Sequence, residues 1–520
     1  AAFFFFGGIA FSLSVLRKNW LEPAVFAGLA GLVMGGLAFH TVEMEGHVAG
    51  VEFGFSAGLF ATLLALPLFQ AGFHRRRFAT PYPDTHFHLW SDAICGAGAL
   101  AFTGLSWLLL LVLAALFGLL KIDLLQALME EGWFGWMFSG AAFGGALGVL
   151  RNELKVLGTL QQVVMAVFGI LAVPLAVALV IFFIAVAVSG LDVLWEATQS
   201  ATPLLLGSAA ASFILANAIV RDDDDAMSKS KIQRIAAMVL VIGIFPLTIF
   251  AAISLGLRVN QHGLSPERIW ALIAIAVAVA YGVAGLVAVL RGRMEGWAGL
   301  LRRSNLYLAV AVSGVALLLA MPFIDFGAVS TKNQLARLGS GAVSLEDFDY
   351  DALRWDFGDA GRAALANLVK SDNARIAELA EEAQAAESRP WWGQGERHPG
   401  TTRLANLHSE ISDPSLLEAV RRKVRQNSWI CEEICTAIDL GKDEKDRQRV
   451  AIVTRSTVNH YILGQSGRLE EFYYLMPGDE EPAPAPAGAD QQRGEPKVEI
   501  RAETMRRILV DGRPVGSPFK

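Results

Sequence analysis

Residues 162–189 read QVVMAVFGILAVPLAVALVIFFIAVAVS and contain no Asp, Glu, Lys, Arg or His. A helix needs about 20 mainly apolar residues to cross a bilayer. Inside lipid it must also satisfy its own backbone polar groups, because nothing else there will. This stretch therefore reads as a membrane span with length to spare. Similar apolar runs flank it at roughly 3–16, 24–39, 51–70, 97–120, 134–150, 202–220, 235–255, 269–290 and 306–324. The expected fold is a polytopic α-helical membrane bundle of about ten spans joined by short loops.

Charge divides the chain. Residues 1–325 carry 18 Lys+Arg and 19 Asp+Glu, whereas residues 326–520 carry 26 and 31. The first part is solvated by lipid and the second by water. That division excludes a wholly soluble enzyme, and the absence of a basic stripe gives no reason to expect nucleic acid. Two domains are expected: a transmembrane one at 1–325 and a soluble α+β one at 326–520. The start, Ala1-Ala2-Phe3-Phe4-Phe5-Phe6, has neither an initiator Met nor a positive flank and reads as a processed or truncated end within an apolar segment.

Loop charge sets the expected orientation, because Lys and Arg favour the cytoplasmic side. One alternating set of loops holds 15 of them, including Arg75, Arg76, Arg77, Arg151, Arg221, Arg291, Arg293, Arg302 and Arg303. The other set holds three: Lys121, Arg258 and Arg268. Residues 326–520 then lie outside the cytoplasm, in the periplasm of a bacterium.

The interiors of the expected spans lack ionisable residues, which argues against an ion-coupled transporter. Asp92 and Asn217 sit near span ends. Pro67, Pro174, Pro246 and Pro322 fall within spans and are positioned to kink them. Gly140, Gly144 and Gly148 repeat at four-residue spacing, as do Ala27, Gly31 and Gly35; such stripes let helix backbones approach, inside the bundle or against a partner. Trp133, Trp136, Trp195 and Trp270 suit the membrane interface. Asp222 to Asp225 form a solvated acidic turn balanced by Lys229, Lys231 and Arg234. Pro83-Asp-Thr-His86-Phe-His88-Leu-Trp90 and the basic segment Arg291–Arg303 both read as lying on headgroups.

Metal-ligating residue types are densest at His40, Glu43, Glu45, His47 and Glu52. If the second span continues as helix, His40, Glu43 and His47 share a face able to hold a divalent cation; if it breaks, the cluster is a solvated loop. The loop His262-Gly-Leu-Ser265-Pro266-Glu267-Arg268 is built as a helix start, with Ser265 as N-cap, Pro266 in the first turn and Glu267 at the positive end of the dipole. His262, Glu267 and Arg268 are candidate functional residues there.

In the second part an Ala-rich helix is expected at about 359–386 and another at about 413–427, capped by Asp413. A small antiparallel meander follows at 429–440, 449–455, 458–465 and 468–476, then a flexible Pro/Ala-rich loop at 479–496 and a final strand pair at 497–502 and 506–510. In a strand, Cys431 and Cys435 stand about 13 Å apart, beyond disulfide reach. Two free thiols are expected, although a helical turn would allow a bridge. No G-x-S-x-G, H-E-x-x-H or phosphate loop occurs, so neither catalytic residues nor a cofactor can be assigned.

Three motifs together, His262-Gly-Leu-Ser-Pro-Glu-Arg268, Phe323-Ile-Asp-Phe-Gly-Ala-Val-Ser330 and Phe348-Asp-Tyr-Asp-Ala-Leu-Arg354 with Phe357-Gly358, resemble the bacterial membrane proteins of domain of unknown function family 4153. The resemblance implies a bacterial inner-membrane protein and supplies no catalytic residues. Two functions fit. One is a structural or accessory subunit embedded in the bilayer and binding membrane-protein partners through its spans and outer domain. The other is a transporter or an enzyme of envelope lipid or glycan.

Overall fold

The computed structural model describes residues 1–520 apart from 16–18, 191–200, 387–388, 390–399, 428–429, 432, 444–445, 456, 465–466, 472–497, 502–505, 511–512 and 520. Trp195 and the loop expected at 479–496 therefore lie outside the described residues. The chain divides into two units, Ala1–Ser330 and Thr331–Lys520.

The first unit is helical. Its elements are α1 (Ala2–Ser14), α2 (Leu21–Glu43), α3 (Val51–Gln70), the short α4 (Phe73–Arg76), α5 (Tyr82–Leu119), α6 (Leu124–Glu130), α7 (Gly132–Asn152), α8 (Leu154–Ser189), α9 (Ala201–Val220), α10 (Lys231–His262) and α11 (Pro266–Ala320). Helix α11 is two helices joined at a kink, where Arg293 has φ 51°. Counting its halves separately, nine helices among the described residues are long and apolar enough to cross a membrane, with α1 as a shorter apolar helix. The polytopic helical bundle is thus present.

Alanine and leucine fill the largest core, where Ala172, Ala176, Ala209, Leu240, Leu247, Ala251 and Ile275 bring α8, α9, α10 and α11 together. Small side chains allow the close approach on which helix packing in lipid depends. A second core, with Leu13, Leu66, Cys95, Ala99 and Leu147, joins α1, α3, α5 and α7. Burial falls from half of the apolar window of α10 to 11% of that of α7 and 6% of that of α5.

Three boundaries differ from expectation. Helix α5 starts at Tyr82 rather than near 97, so His86, His88 and Asp92 belong to a membrane-length helix. His86 is only 4% exposed and does not lie on headgroups. Trp297, Leu301 and Arg302 are likewise buried in the bundle, so the second half of α11 begins where a surface segment was expected. Pro67, Pro174 and Pro246 lie within helices, whereas Pro322 follows the end of α11.

The second unit continues with α12 (Phe326–Gly339, which crosses the boundary), α13 (Tyr350–Trp355), α14 (Gly358–Leu368), α15 (Ala374–Ala385), α16 (Gly400–Ala405) and α17 (Pro414–Gln426). The single helix expected at 359–386 is two, because Asn373 caps a new start by accepting from Arg375 and Ile376 N–H groups. Phe348, Tyr350, Leu353, Phe357 and Leu365 form its helical core.

Strands β1 (Leu407–Ser409), β2 (Cys435–Lys442), β3 (Gln448–Val453), β4 (Val458–Leu463) and β5 (Leu469–Glu471) form one sheet in sequence order. The meander β2–β5 is antiparallel as expected, but β1 pairs parallel with β2, which makes the sheet mixed. Helix α17 makes the crossover that a parallel pair requires. Its Leu416, Val420 and Val424 cover one sheet face with Cys435, Val450, Ile452 and Tyr461. The other face, with Ile438, Leu440, Ala451 and Val453, packs on Ile508. Ile508 belongs to a three-stranded sheet of β6 (Val498–Arg501), β7 (Arg506–Val510) and β8 (Arg513–Phe519). The expected final strand pair thus gains a third strand.

Cys431 and Cys435 form a disulfide with Cα atoms 5.3 Å apart, not two thiols. The strand premise fails at its start: Ile430 and Cys431 lie in a turn, and β2 begins only at Cys435. The turn shortens the separation to within disulfide reach.

Candidate functional site

The end of a helix leaves up to four carbonyls without intrahelical partners and carries a partial negative charge. In this bundle, arginines from elsewhere in the chain meet three such ends. Arg302 on α11 is 6% exposed. It donates to the carbonyls of Val220 at 2.7 Å, Asp223 at 2.7 Å and Arg221 at 3.2 Å, and to the Asp224 carboxylate at 2.7 Å. It closes the end of α9 and pins the acidic turn. Asp224, expected to be balanced by the following lysines, pairs instead with this distant guanidinium.

Arg151 on α7 does the same for α1, donating to the Ser12 carbonyl and, at 2.6 Å, to that of Val15. Gln70 adds a bond of 2.8 Å to the Leu13 carbonyl and another of 3.2 Å to Asp92. Arg268 closes α10, donating to the Gly263 carbonyl at 2.8 Å and to that of His262 at 3.3 Å.

Beside Arg302 lies an enclosed polar cluster that joins three helices. Asn305 on α11 donates to the Asn217 side-chain carbonyl of α9 at 2.7 Å, and the Tyr82 hydroxyl of α5 approaches the same oxygen at 3.5 Å. Asn217 returns its amide to the Phe213 carbonyl at 2.8 Å. The ring of His86, one turn after Tyr82, stands 5.7 Å from the Tyr82 ring and 6.3 Å from that of Trp90. Its two nitrogens make no well-formed hydrogen bond. Asn217 and Asn305 are 6% and 7% exposed. The cluster ties three helices by polar contacts within an otherwise apolar body. Sequence reading identified Asn217 only as a span-end residue and did not join Tyr82, His86, Arg302 and Asn305 to it. Their available signal was a polar side chain on a helix whose apolar pattern continues past it.

The expected residues are placed as follows. Helix α2 ends at Glu43 with Met44 as C-cap, so His40 and Glu43 lie on its last turn while His47 lies in the turn beyond. The shared-face geometry therefore applies to two of the three. Among the described residues no group of three or more His, Cys, Asp or Glu is placed to hold a metal ion. Ser265 accepts from the Arg268 N–H and Pro266 opens α11, with Glu267 in its first turn; His262 ends α10. His262, Glu267 and Arg268 thus lie at a helix–helix corner in which Arg268 acts as a cap.

The two small-residue stripes behave differently. A Cβ at Gly31 would stand 2.8 Å from the Phe3 carbonyl oxygen and one at Gly35 3.2 Å from the Phe3 side chain, so the Ala27, Gly31 and Gly35 stripe packs α2 on α1. Among the described residues a Cβ at Gly140, Gly144 or Gly148 would meet nothing within 4 Å. That face of α7 continues into exposed Trp133, Trp136 and Met137. Trp270, by contrast, packs between Phe53 and Phe326.

No curated protein and no solved structure matches the chain. A family model described as Domain of unknown function (DUF4153) matches residues 3–368, from α1 to the end of α14. That match takes in every described membrane-length helix and all three arginine caps, and the chain belongs to the DUF4153 family.

Proposed function

We propose that the chain is a structural or accessory subunit of the bacterial inner (cytoplasmic) membrane that binds a partner membrane protein through α7, with residues 326–520 in the periplasm. The observation that carries the reading is the open glycine face: among the described residues a Cβ at Gly140, Gly144 or Gly148 would meet nothing within 4 Å, unlike one at Gly31 or Gly35. A glycine face that approaches no helix of its own chain is suited to one from another. The loop charge count supports the orientation. The Cys431–Cys435 disulfide supports it independently, because disulfides persist in oxidising compartments.

The test is purification from native membranes in mild detergent. A membrane protein is expected to copurify with the wild type and to be lost from Gly144→Leu, whose own unfolding temperature stays unchanged. A wild type that always emerges as a lone monomer refutes the reading. The orientation is checked separately with a C-terminal alkaline phosphatase fusion, expected to be active.

One observation favours the alternative, a transporter or an enzyme of envelope lipid or glycan. His86, Asn217 and Asn305 are enclosed polar groups on membrane-length helices, a placement common in substrate paths. His86→Ala with intact folding and an unchanged envelope phenotype, in a strain where deletion has one, rejects it.

A further inference from the structure

We infer that Arg77 and Arg303, with the contacting rings of Phe78 and Tyr307, form a binding site for the headgroup of an anionic phospholipid. Arg75, Arg76 and Arg77 are consecutive and all exposed, yet they are used differently. Arg75 is paired with Glu22, and Arg76 with Asp84 at 3.3 Å. Arg77 has no carboxylate partner among the described residues. Its backbone is also costly for the residue it carries: φ is 53°, a region that glycine enters freely and arginine does not. Backbone economy therefore does not explain an arginine here.

Across from this turn, Arg303 on α11 donates its Nε–H to the Tyr307 hydroxyl at 3.2 Å and lies 5.6 Å from that ring's centre. It too has no carboxylate partner among the described residues. The rings of Phe78 and Tyr307 are 5.5 Å apart, which brings the two segments together. Phe78 is 58% exposed and Tyr307 38%. Arg303 against the Tyr307 ring, Arg77 next in the chain to Phe78, and no carboxylate on either arginine among the described residues together match a phosphodiester with an acyl chain attached. Guanidinium forks suit phosphate oxygens, and aromatic rings favour the headgroup level. Arg291 and Arg293, exposed at the kink of α11, add positive charge to the same helix. The charge complementarity specifies an anionic lipid rather than a zwitterionic one.

Native mass spectrometry of the full chain in detergent tests this, with phosphatidylglycerol and phosphatidylcholine as the probes. A basic side chain at an anionic surface is worth about fivefold in affinity, so the pair gives about thirtyfold preference for phosphatidylglycerol. Arg77→Gln with Arg303→Gln is expected to abolish that preference, and Arg75→Gln to leave it. If the double variant does not fold, Arg77→Gln alone is expected to lower the preference about fivefold. Equal binding of the two lipids overturns the proposal, as does a preference unchanged in the Arg77 variants. Displacement of phosphatidylglycerol by millimolar inorganic phosphate would assign the site to a soluble anion and overturn it equally.

Discussion

Replacing Arg302 by methionine removes a charge that closes one helix and holds one turn, and the cost can be worked from its contacts. The bond to Asp224 contributes little, because that carboxylate is 75% exposed and water replaces it. The Arg221 bond is long at 3.2 Å. The bonds to the Val220 and Asp223 carbonyls, both 2.7 Å, remain. A hydrogen bond from a charged donor is worth about 1.5 kcal/mol or more, so the loss is about 3 kcal/mol. Lysine keeps the charge but cannot span the fork of acceptors, and Arg302→Lys is expected to recover about half. Unfolding titrated with sodium dodecyl sulfate in mixed micelles gives the totals. Hydrogen exchange gives the location, with faster exchange expected in residues 217–230 and little change in α2. Arg303→Gln, one residue along and exposed, is the control for general surface charge. A loss below about 1 kcal/mol in Arg302→Met, or equal losses at 302 and 303, would show that the end of α9 does not depend on this cap.

Alkylation under denaturing conditions without reductant is expected to label one cysteine, Cys95, because Cys431 and Cys435 are bridged; three labels refute the bridge. Gly31→Ala is expected to destabilise the bundle through contact with the Phe3 backbone, whereas Gly144→Ala is neutral or stabilising by up to about 1 kcal/mol from helix propensity, measured in the same titration. Burial, with the Arg449 charge second, pushes the His460 imidazole down to about 4 from 6.5. The folded state therefore binds fewer protons than the unfolded one between these values. Stability is full above about pH 6.5 and falls as pH drops towards 4, and His460→Asn is expected to flatten that slope.

Sequence reading located the spans because lipid demands one simple pattern, an apolar run of sufficient length. It was least accurate where polar residues sit on a continuing helix. His86 and Asp92 made the start of α5 look like a surface segment, and Arg291–Arg303 made the start of the second half of α11 look the same. In both cases one buried polar side chain, His86 or Arg302, was taken as solvated with its neighbours, when it packs among other helices that no local pattern reveals. Ser265, Pro266 and Asp413 were legible as helix starts because capping acts over three residues. The Arg302 cap was not, because its acceptors lie about 80 residues away. The disulfide was missed for a local reason: alternation in 429–440 was extended through a turn that ends at β2. Strand β1 is three residues long and leaves no periodic trace. The glycine stripes were legible as stripes, but which one is used inside the bundle depends on Phe3.

The arginine caps also impose an order on biosynthesis. Arg268 lies six residues beyond His262, so α10 acquires its cap almost as soon as it is made. Arg151 lies 139 residues beyond Ser12. At roughly 5–20 residues per second, translation leaves the end of α1 waiting on the order of ten seconds for it. Within that interval Gln70 can reach the Leu13 carbonyl, but those of Ser12 and Val15 wait for Arg151. A chain that stops before residue 151 therefore keeps α1 without the guanidinium that closes its end.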